Sequence, residues 1–357
     1  MRNNTMGRMA AAGRTSRTAW ARLAWVGVCV GLTGACVIIP FEPFGVKRRL
    51  EEVEVQPAKH FLTSNKALEI DITGMITSEN GSGVFDDAEG TLPLLKDTLQ
   101  KAAKDPNIAA IILRIDSPGG SVTASDVCYR ELMEFKAKAA KERGAEIPVV
   151  AVMMDTAASG GYYIAMAADE VWAHPTTITG SIGVIAMLPW LKGLGDKIGV
   201  TIRVIKSGEL KDIGSPWRDF EPKEKEVFQQ MIDSLHAQFV SVVARGRNLD
   251  EAAVRALADG RIYTAQQALD AKLIDRIGYF DEAFEAAKKR AGIKDASIVA
   301  YTRSVGGKSN VYAAARRPAA RPAEASPGAP AQVNLIHIDL GPWARADAPR
   351  FHYLWLP

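Results

Sequence analysis

The sequence predicts an α/β domain built from βαβ crossovers around a parallel sheet, and three observations predict it. Ile108–Ile115 and Pro148–Met153 are continuous apolar runs, the pattern of strands buried on both faces. Each run leads into a turn of small residues, Asp116-Ser117-Pro118-Gly119-Gly120 after the first and Ala157-Ala158-Ser159-Gly160-Gly161 after the second. A helical pattern resumes after each turn, so strand, glycine turn and helix follow one another twice.

In chain order, residues 1–40 form a signal or membrane anchor. Arg2, Arg8, Arg14, Arg17 and Arg22 precede the first acid, Glu42, and an apolar run from Leu23 to Ile39 ends at Pro40. A basic stretch before an apolar one marks export or anchoring, with the body extracytoplasmic. Two forms stay open. The run can span as a helix, or Leu32-Thr33-Gly34-Ala35-Cys36 resembles a lipobox with Cys36 lipidated, although Leu32 stands one position further from the cysteine than usual. Residues 41–64 are polar and charged, a stalk or linker.

The folded body is expected over 65–303. Leu68–Ile76 alternates apolar and polar residues, a half-buried strand, and Thr77–Gly90 is a loop. Leu92, Leu95, Leu99 and Ala102 mark a helix, and a second runs from Ser121 to Arg143 with Gly144 ending it. Tyr162–Ala168 is a short helix and Glu170–His174 a strand, leading to Thr179-Gly180-Ser181-Ile182-Gly183. Phe228, Ile232, Leu235, Phe239 and Val242 line a long helix ending at Arg245-Gly246-Arg247. Leu249–Ala258 and Thr264–Ala271 are two more helices, the latter with Thr264 as N-cap. Residues 304–332 are an Ala/Pro-rich linker. The tail, 333–357, holds Leu335–Leu340 and Phe351–Pro357, too apolar to be inert, and is expected to dock.

Composition narrows the function. The 357 residues are 47% hydrophobic, ample for a core, and 44 basic against 41 acidic residues leave a net charge of +3. That balance carries no footprint for nucleic acid. Cys29 and Cys36 lie in the N-terminal apolar segment, so Cys128 is the only cysteine of the body and no disulfide forms there. No His/Cys/Asp/Glu cluster has metal-ligand spacing and no Walker-type loop occurs, so no metal or cofactor is expected.

The chemistry centres on Ser159. Alanines before it and glycines after it let backbone approach a substrate closely, and a helix starting at Gly160 or Gly161 favours negative charge on the oxygen. The plainer reading of Ser159 is a helix N-cap. Gly119 and Gly120, directly after a buried strand, can aim backbone N–H groups into a cleft as an oxyanion hole does. Lys211 is the candidate base. An amine ordinarily titrates near about 10.4 and must be desolvated to accept a proton at neutrality. Leu210 and Ile213 flank Lys211, while Glu209 and Asp212 oppose the effect unless an extended backbone turns Asp212 to the other face. Lys206 competes for the role. Of the histidines, His60 lies in the linker, His337 and His352 lie in the tail, and His236 falls on the solvent side of the long helix. His174 is the reserve base.

Together these blocks resemble the bacterial signal peptide peptidase A family, in its short, single-repeat type. The resemblance runs from about Ala67 to Ala287, through Arg114–Gly120, Ala157–Tyr163, Thr179–Val184, Ile205–Gly208, Lys211-Asp212-Ile213 and Asp259–Tyr263. It implies a Clp-protease/crotonase fold of repeated ββα units and a membrane-anchored serine endopeptidase that cleaves signal-peptide remnants. Ser159 would be the nucleophile and Lys211 the base, Ser181 would orient the lysine, and Gly119, Gly120 and Gly160 would serve the oxyanion. Partners implied are a hydrophobic peptide, the membrane, and further copies in a homo-oligomeric ring, an octamer among the candidates, whose neighbouring subunits complete each site. Two other classes compete: a catalytically silent peptide-binding or scaffold ring of the same fold, and an acyl-thioester enzyme of crotonase type.

Overall fold

The structure is a computed structural model that describes residues 49–60, 62–78, 90–303, 310–312 and 350–354. The expected anchor, Cys36, the 304–332 linker save residues 310–312, and most of the tail lie outside the described residues. Among the described residues no helix is long and apolar enough to cross a membrane.

Element order is β1 (Glu51–Gln56), β2 (Lys66–Thr73), α1 (Thr91–Lys104), β3 (Ile108–Ser117), β4 (Gly119–Ser121) and α2 (Val122–Arg143). Next come β5 (Val149–Ala158), α3 (Gly160–Ala165), β6 (Glu170–Ala173), β7 (Ile178–Gly180), β8 (Ile185–Met187) and α4 (Lys192–Ile198). A 3-10 turn (Glu209–Asp212) precedes α5 (Pro222–Arg247), α6 (Glu251–Leu257), β9 (Ile262–Thr264), α7 (Ala265–Asp270), β10 (Arg276–Ile277), α8 (Phe280–Arg290), β11 (Ser297–Thr302) and β12 (Arg350–Leu354).

The main sheet has the order β1-β11-β2-β3-β5-β6-β10. From β11 to β10 its neighbours run parallel, and β1 closes one edge antiparallel to β11. This mixed α/β build with a parallel sheet fits the expected Clp/crotonase type. The fork in β5 positions the site: Val150–Met153 pair with β6, whereas Thr156–Ala158 leave β6 and pair with β7. The far end of β5 therefore carries the Ser159 turn away from the main sheet path.

Side-chain alternation explains why helices cover both faces. Ile111, Leu113 and Ile115 of β3, with Val149, Ala151 and Met153 of β5, face the larger core that holds Leu95 of α1, Leu132 of α2 and Phe239 of α5. Ala110, Ile112, Val150 and Val152 face Phe280, Ala283, Phe284 and Ala287 of α8. Period-2 alternation sends neighbours to opposite cores. The same geometry corrects the reading of Leu68–Ile76 as half-buried. β2 ends at Thr73 and lies inside the sheet between β11 and β3, so even Glu69 is buried.

Helix ends follow local chemistry. Ser121 caps α2 by accepting a hydrogen bond from the Ala124 N–H, and Gly144 ends it in the left-handed region at φ 67°. Thr264 caps α7 in a reciprocal box with Gln267. The stretch read as a linker, 41–64, contains β1, because backbone pairing with β11 draws a polar segment onto the sheet edge. Of the tail, residues 350–354 are described, and they dock: β12 lies antiparallel between β4 and β8 in a separate three-stranded sheet.

Candidate active site

Ser159 stands where β5 turns into α3, with φ 53° and ψ −112°, outside the left-handed helical well as well as the ordinary regions. Such strain costs on the order of 1–3 kcal/mol and persists only where neighbours impose it. Here the Ser159 N–H donates to the Gly180 carbonyl at 2.8 Å and its carbonyl accepts from the Tyr163 N–H at 2.8 Å. The side chain is 1% exposed. Its Oγ has no hydrogen-bond partner and makes no cap bond to α3. The N-cap reading of this serine therefore falls away. A buried hydroxyl left unpaired costs about 1–3 kcal/mol, so two separate penalties converge on one residue.

The glycines are required by close approach. A Cβ on Gly160 would sit 2.4 Å from Ser125 Oγ and 3.2 Å from the Gly119 Cα. A Cβ on Gly120 would sit 2.2 Å from the Ile76 carbonyl oxygen. The β3–β4 turn and the serine turn are thus pressed together backbone to backbone. The Gly119 N–H donates to Ser117 Oγ at 3.1 Å. Ser181 occupies the register position after Gly180, the partner of Ala158, so Ser159 and Ser181 follow paired residues at adjacent strand ends. It too has positive φ, 49°, and its N–H donates to the Arg261 carbonyl at 2.8 Å.

Lys211 lies in the 3-10 turn, not in the extended segment expected, and it is exposed rather than packed against Leu210 and Ile213. Within one chain Ser159 Oγ and Lys211 Nζ form no hydrogen bond. The carboxylates beside Lys211 are nevertheless turned to other cations. Asp212 binds Arg218 at 3.0 Å and Lys206 at 2.6 Å, and these two hold its carboxyl well below the usual carboxylate range. Glu209 pairs with Lys223 at 2.6 Å, which lowers it likewise. Lys206 is therefore a counter-ion, and Lys211 is the lysine of this segment whose amine has no partner among the described residues. Buried Glu224 takes the other side of Arg218, 2.6 Å away, so one guanidinium ties the turn to the start of α5. Arg218 was not among the sequence candidates; its signal was two acids spaced six residues before and after it.

His174 directly follows β6, with burial lowering its titration and Nε2 unpaired; its ring meets Tyr279 edge-on. It makes no hydrogen bond to Ser159. His236 is half-buried with Nε2 out of solvent, correcting its placement on the solvent side. Cys128 is a core residue, its thiol pushed up to about 12 by burial. Among the described residues no group of three or more His, Cys, Asp or Glu could hold a metal. Next to the serine turn lies an aromatic cluster that motif reading passed over. Tyr163 packs edge-on to Tyr129 and tilted to Phe239, with its OH donating to Asp126 at 2.6 Å.

Residues 141–294 match the peptidase family S49 model. A protein of Enterococcus faecium named "Putative signal peptide peptidase SppA" is 35% identical over 250 residues, covering 70% of this chain and 71% of that one. Protease 4 of Haemophilus influenzae is 29% identical over 307 residues, 83% of this chain and 48% of its own. The chloroplastic serine protease SPPA of Arabidopsis thaliana is 35% identical over 200 residues, 56% of this chain and 28% of its own. The matched span contains the serine turn, both strained serines and the Lys211 segment. The chain belongs to the signal peptide peptidase A family of S49 serine-type peptidases.

Proposed function

We propose that this chain is a membrane-tethered endopeptidase that hydrolyses hydrophobic peptides, such as cleaved signal peptides, with Ser159 as nucleophile and Lys211 as general base. The observation that carries the reading is the Ser159 hydroxyl, buried, strained and unpaired beside backbone that only glycine can form. Lys211 Nζ takes the hydroxyl proton as Oγ attacks the scissile carbonyl and passes it to the leaving amine as the C–N bond breaks; water, deprotonated by the same amine, then cleaves the acyl-enzyme ester, and the proton returns to Ser159 Oγ. Backbone donors around Gly120 and Gly160, with Gly119 shaping the turn, stabilise the oxyanion; each such donor supplies about 3 kcal/mol. Ser181 orients the amine.

A neighbouring copy supplies the lysine and the apolar cover that keeps it uncharged. Two features support this: the exposed Lys211, and the exposed apolar side chains of Trp190, Leu194, Ile198, Val204 and Ile205 in the stretch of chain before it. The basic and apolar N-terminus supports tethering with the catalytic body extracytoplasmic. A chain lacking residues 1–40 should leave the membrane fraction; persistence there would refute the tether.

Ser159→Ala and Lys211→Ala should each lower peptide hydrolysis by about 10³-fold or more while leaving the thermal melt intact. A fluorophosphonate should label Ser159 in the native protein alone. Hydrolysis retained in either variant overturns the assignment. A folded protein that binds peptide but resists the probe would be a silent peptide-binding ring instead.

A further inference from the structure

The backbones of Ser159 and Ser181 are held through one peptide group. The Gly180 carbonyl accepts from the Ser159 N–H at 2.8 Å, and the Ser181 N–H donates to the Arg261 carbonyl at 2.8 Å. That carbonyl and that N–H belong to the same peptide plane, and in a trans peptide they point to opposite sides. The plane therefore bridges Arg261, directly before β9, to the nucleophile turn. Both of its flanking residues have positive φ, 83° at Gly180 and 49° at Ser181, as does Ser159 at 53°. Backbone in such a state relaxes unless its neighbours hold it. Whatever fixes this plane fixes the serine turn.

Tyr263 of β9 is the side chain packed on it. Its ring lies so close to Gly180 that a Cβ there would overlap the ring edge, with the Arg261 carbonyl next nearest. The ring is itself seated. Tyr263 is buried, stands opposite Thr179 in the β7–β9 ladder, and its OH donates to the Leu257 carbonyl at 2.8 Å, at the end of α6. On the other side, Thr179 Oγ1 donates to the Ala157 carbonyl at 2.7 Å and fastens β7 to β5. Gly180 follows Thr179 as the last residue of β7 and meets the tyrosine ring where β5 gives way to Ser159.

We propose that Tyr263 is a positioning residue: its ring fixes the Gly180–Ser181 peptide plane, which sets the backbones of Ser159 and Ser181 together. The inference rests on the peptidase reading for its kinetic consequence, while its exchange readout needs no cleavage. Tyr263 acts through that one peptide and not on a reacting atom. Substrate binding should therefore be untouched and the chemical step slowed, since the Ser159 oxygen is aimed by backbone that the ring holds. The Tyr263 hydroxyl only seats the ring, so phenylalanine should keep most of the function.

The variants are Tyr263→Leu, which keeps apolar bulk and loses the ring, and Tyr263→Phe, which keeps the ring. Hydrolysis of a fluorogenic hydrophobic peptide is normalised to sites titrated with a fluorophosphonate, and amide exchange is resolved to single residues. Tyr263→Leu should lower kcat per titrated site by about tenfold or more with KM within about twofold, while Tyr263→Phe keeps at least about half of the native kcat. A ring that only stabilised the fold would reduce the number of titrated sites and leave kcat per site alone. In the native chain the Ser159 and Ser181 amides should exchange within about threefold of each other after correction for intrinsic rates, because one movement of the plane exposes both. In Tyr263→Leu both should speed by about tenfold or more beyond any change in α8. Native rates for the two amides that differ by about tenfold or more overturn the proposal, whether or not Tyr263→Leu folds. Unchanged kcat per site in a folded Tyr263→Leu overturns it as well, as does a loss in Tyr263→Phe equal to that in Tyr263→Leu. Paired exchange as expected with no hydrolysis or labelling by the native chain refutes the peptidase reading alone. Hydrolysis by a native chain whose two amides exchange independently refutes this inference alone.

Discussion

At Ser159 the backbone and the side chain are both held in states that folding alone would avoid. The backbone penalty can be isolated by substitution. Ser159→Gly and Ser159→Ala remove the hydroxyl equally, but glycine is at ease at φ 53° and alanine is not. Urea denaturation should find Ser159→Gly more stable than Ser159→Ala by about 1 kcal/mol, with both inactive. Equal stability would mean that the turn relaxes in solution. Small residues on either side of Ser159 could be read from the sequence. Its lack of a cap bond could not, because that depends on where α3 begins and how Gly180 fixes the turn. Nor does spacing show that Gly119 directs its N–H to Ser117; only the folded β3–β4 turn brings those atoms together.

The segment around Lys211 illustrates how an element is held by charge rather than by packing. Arg218 joins Asp212 to Glu224, and Lys206 closes the other side of Asp212. The guanidinium depresses both carboxyls, so their stabilising effect is fully present above the ordinary carboxylate value of about 4 and is lost as pH falls through the lower folded values. Hydrogen exchange over residues 206–218 should stay slow from pH 7 to about pH 5, after correction for intrinsic rates, and open only below about pH 4. Arg218→Ala should open the same segment at neutral pH and, with Lys211 as the proposed base, lower kcat by about tenfold, since a base 1 Å out of place is a poor one. Protection unchanged in that variant would refute the clamp. The buried strands β3 and β5 were legible because continuous apolar runs admit few other structures. The Lys211 turn was not, since its residues alternate in no period and the ion pairs span the loop. β1 escaped for the opposite reason: an edge strand with polar side chains lacks the pattern that marks interior strands, and only its partner β11 defines it.

For the whole molecule, the proposed pairing of Ser159 with Lys211, which do not meet within one chain, makes a single chain an incomplete catalyst on that reading. Co-expressed Ser159→Ala and Lys211→Ala subunits should therefore recover activity that neither shows alone. With random assembly in a ring of head-to-tail contacts, about one quarter of the sites would draw intact residues from both sides. No recovery in verified mixed assemblies would place both groups on one chain. The glycine turns could be read in one dimension, whereas the tail's destination could not: apolar content gave only the expectation of docking, and the pairing of residues 350–354 with β4 and β8 showed where. Because β12 and the strands β4 and β8 that flank it belong to one polypeptide, their pairing is a unimolecular event that dilution does not undo.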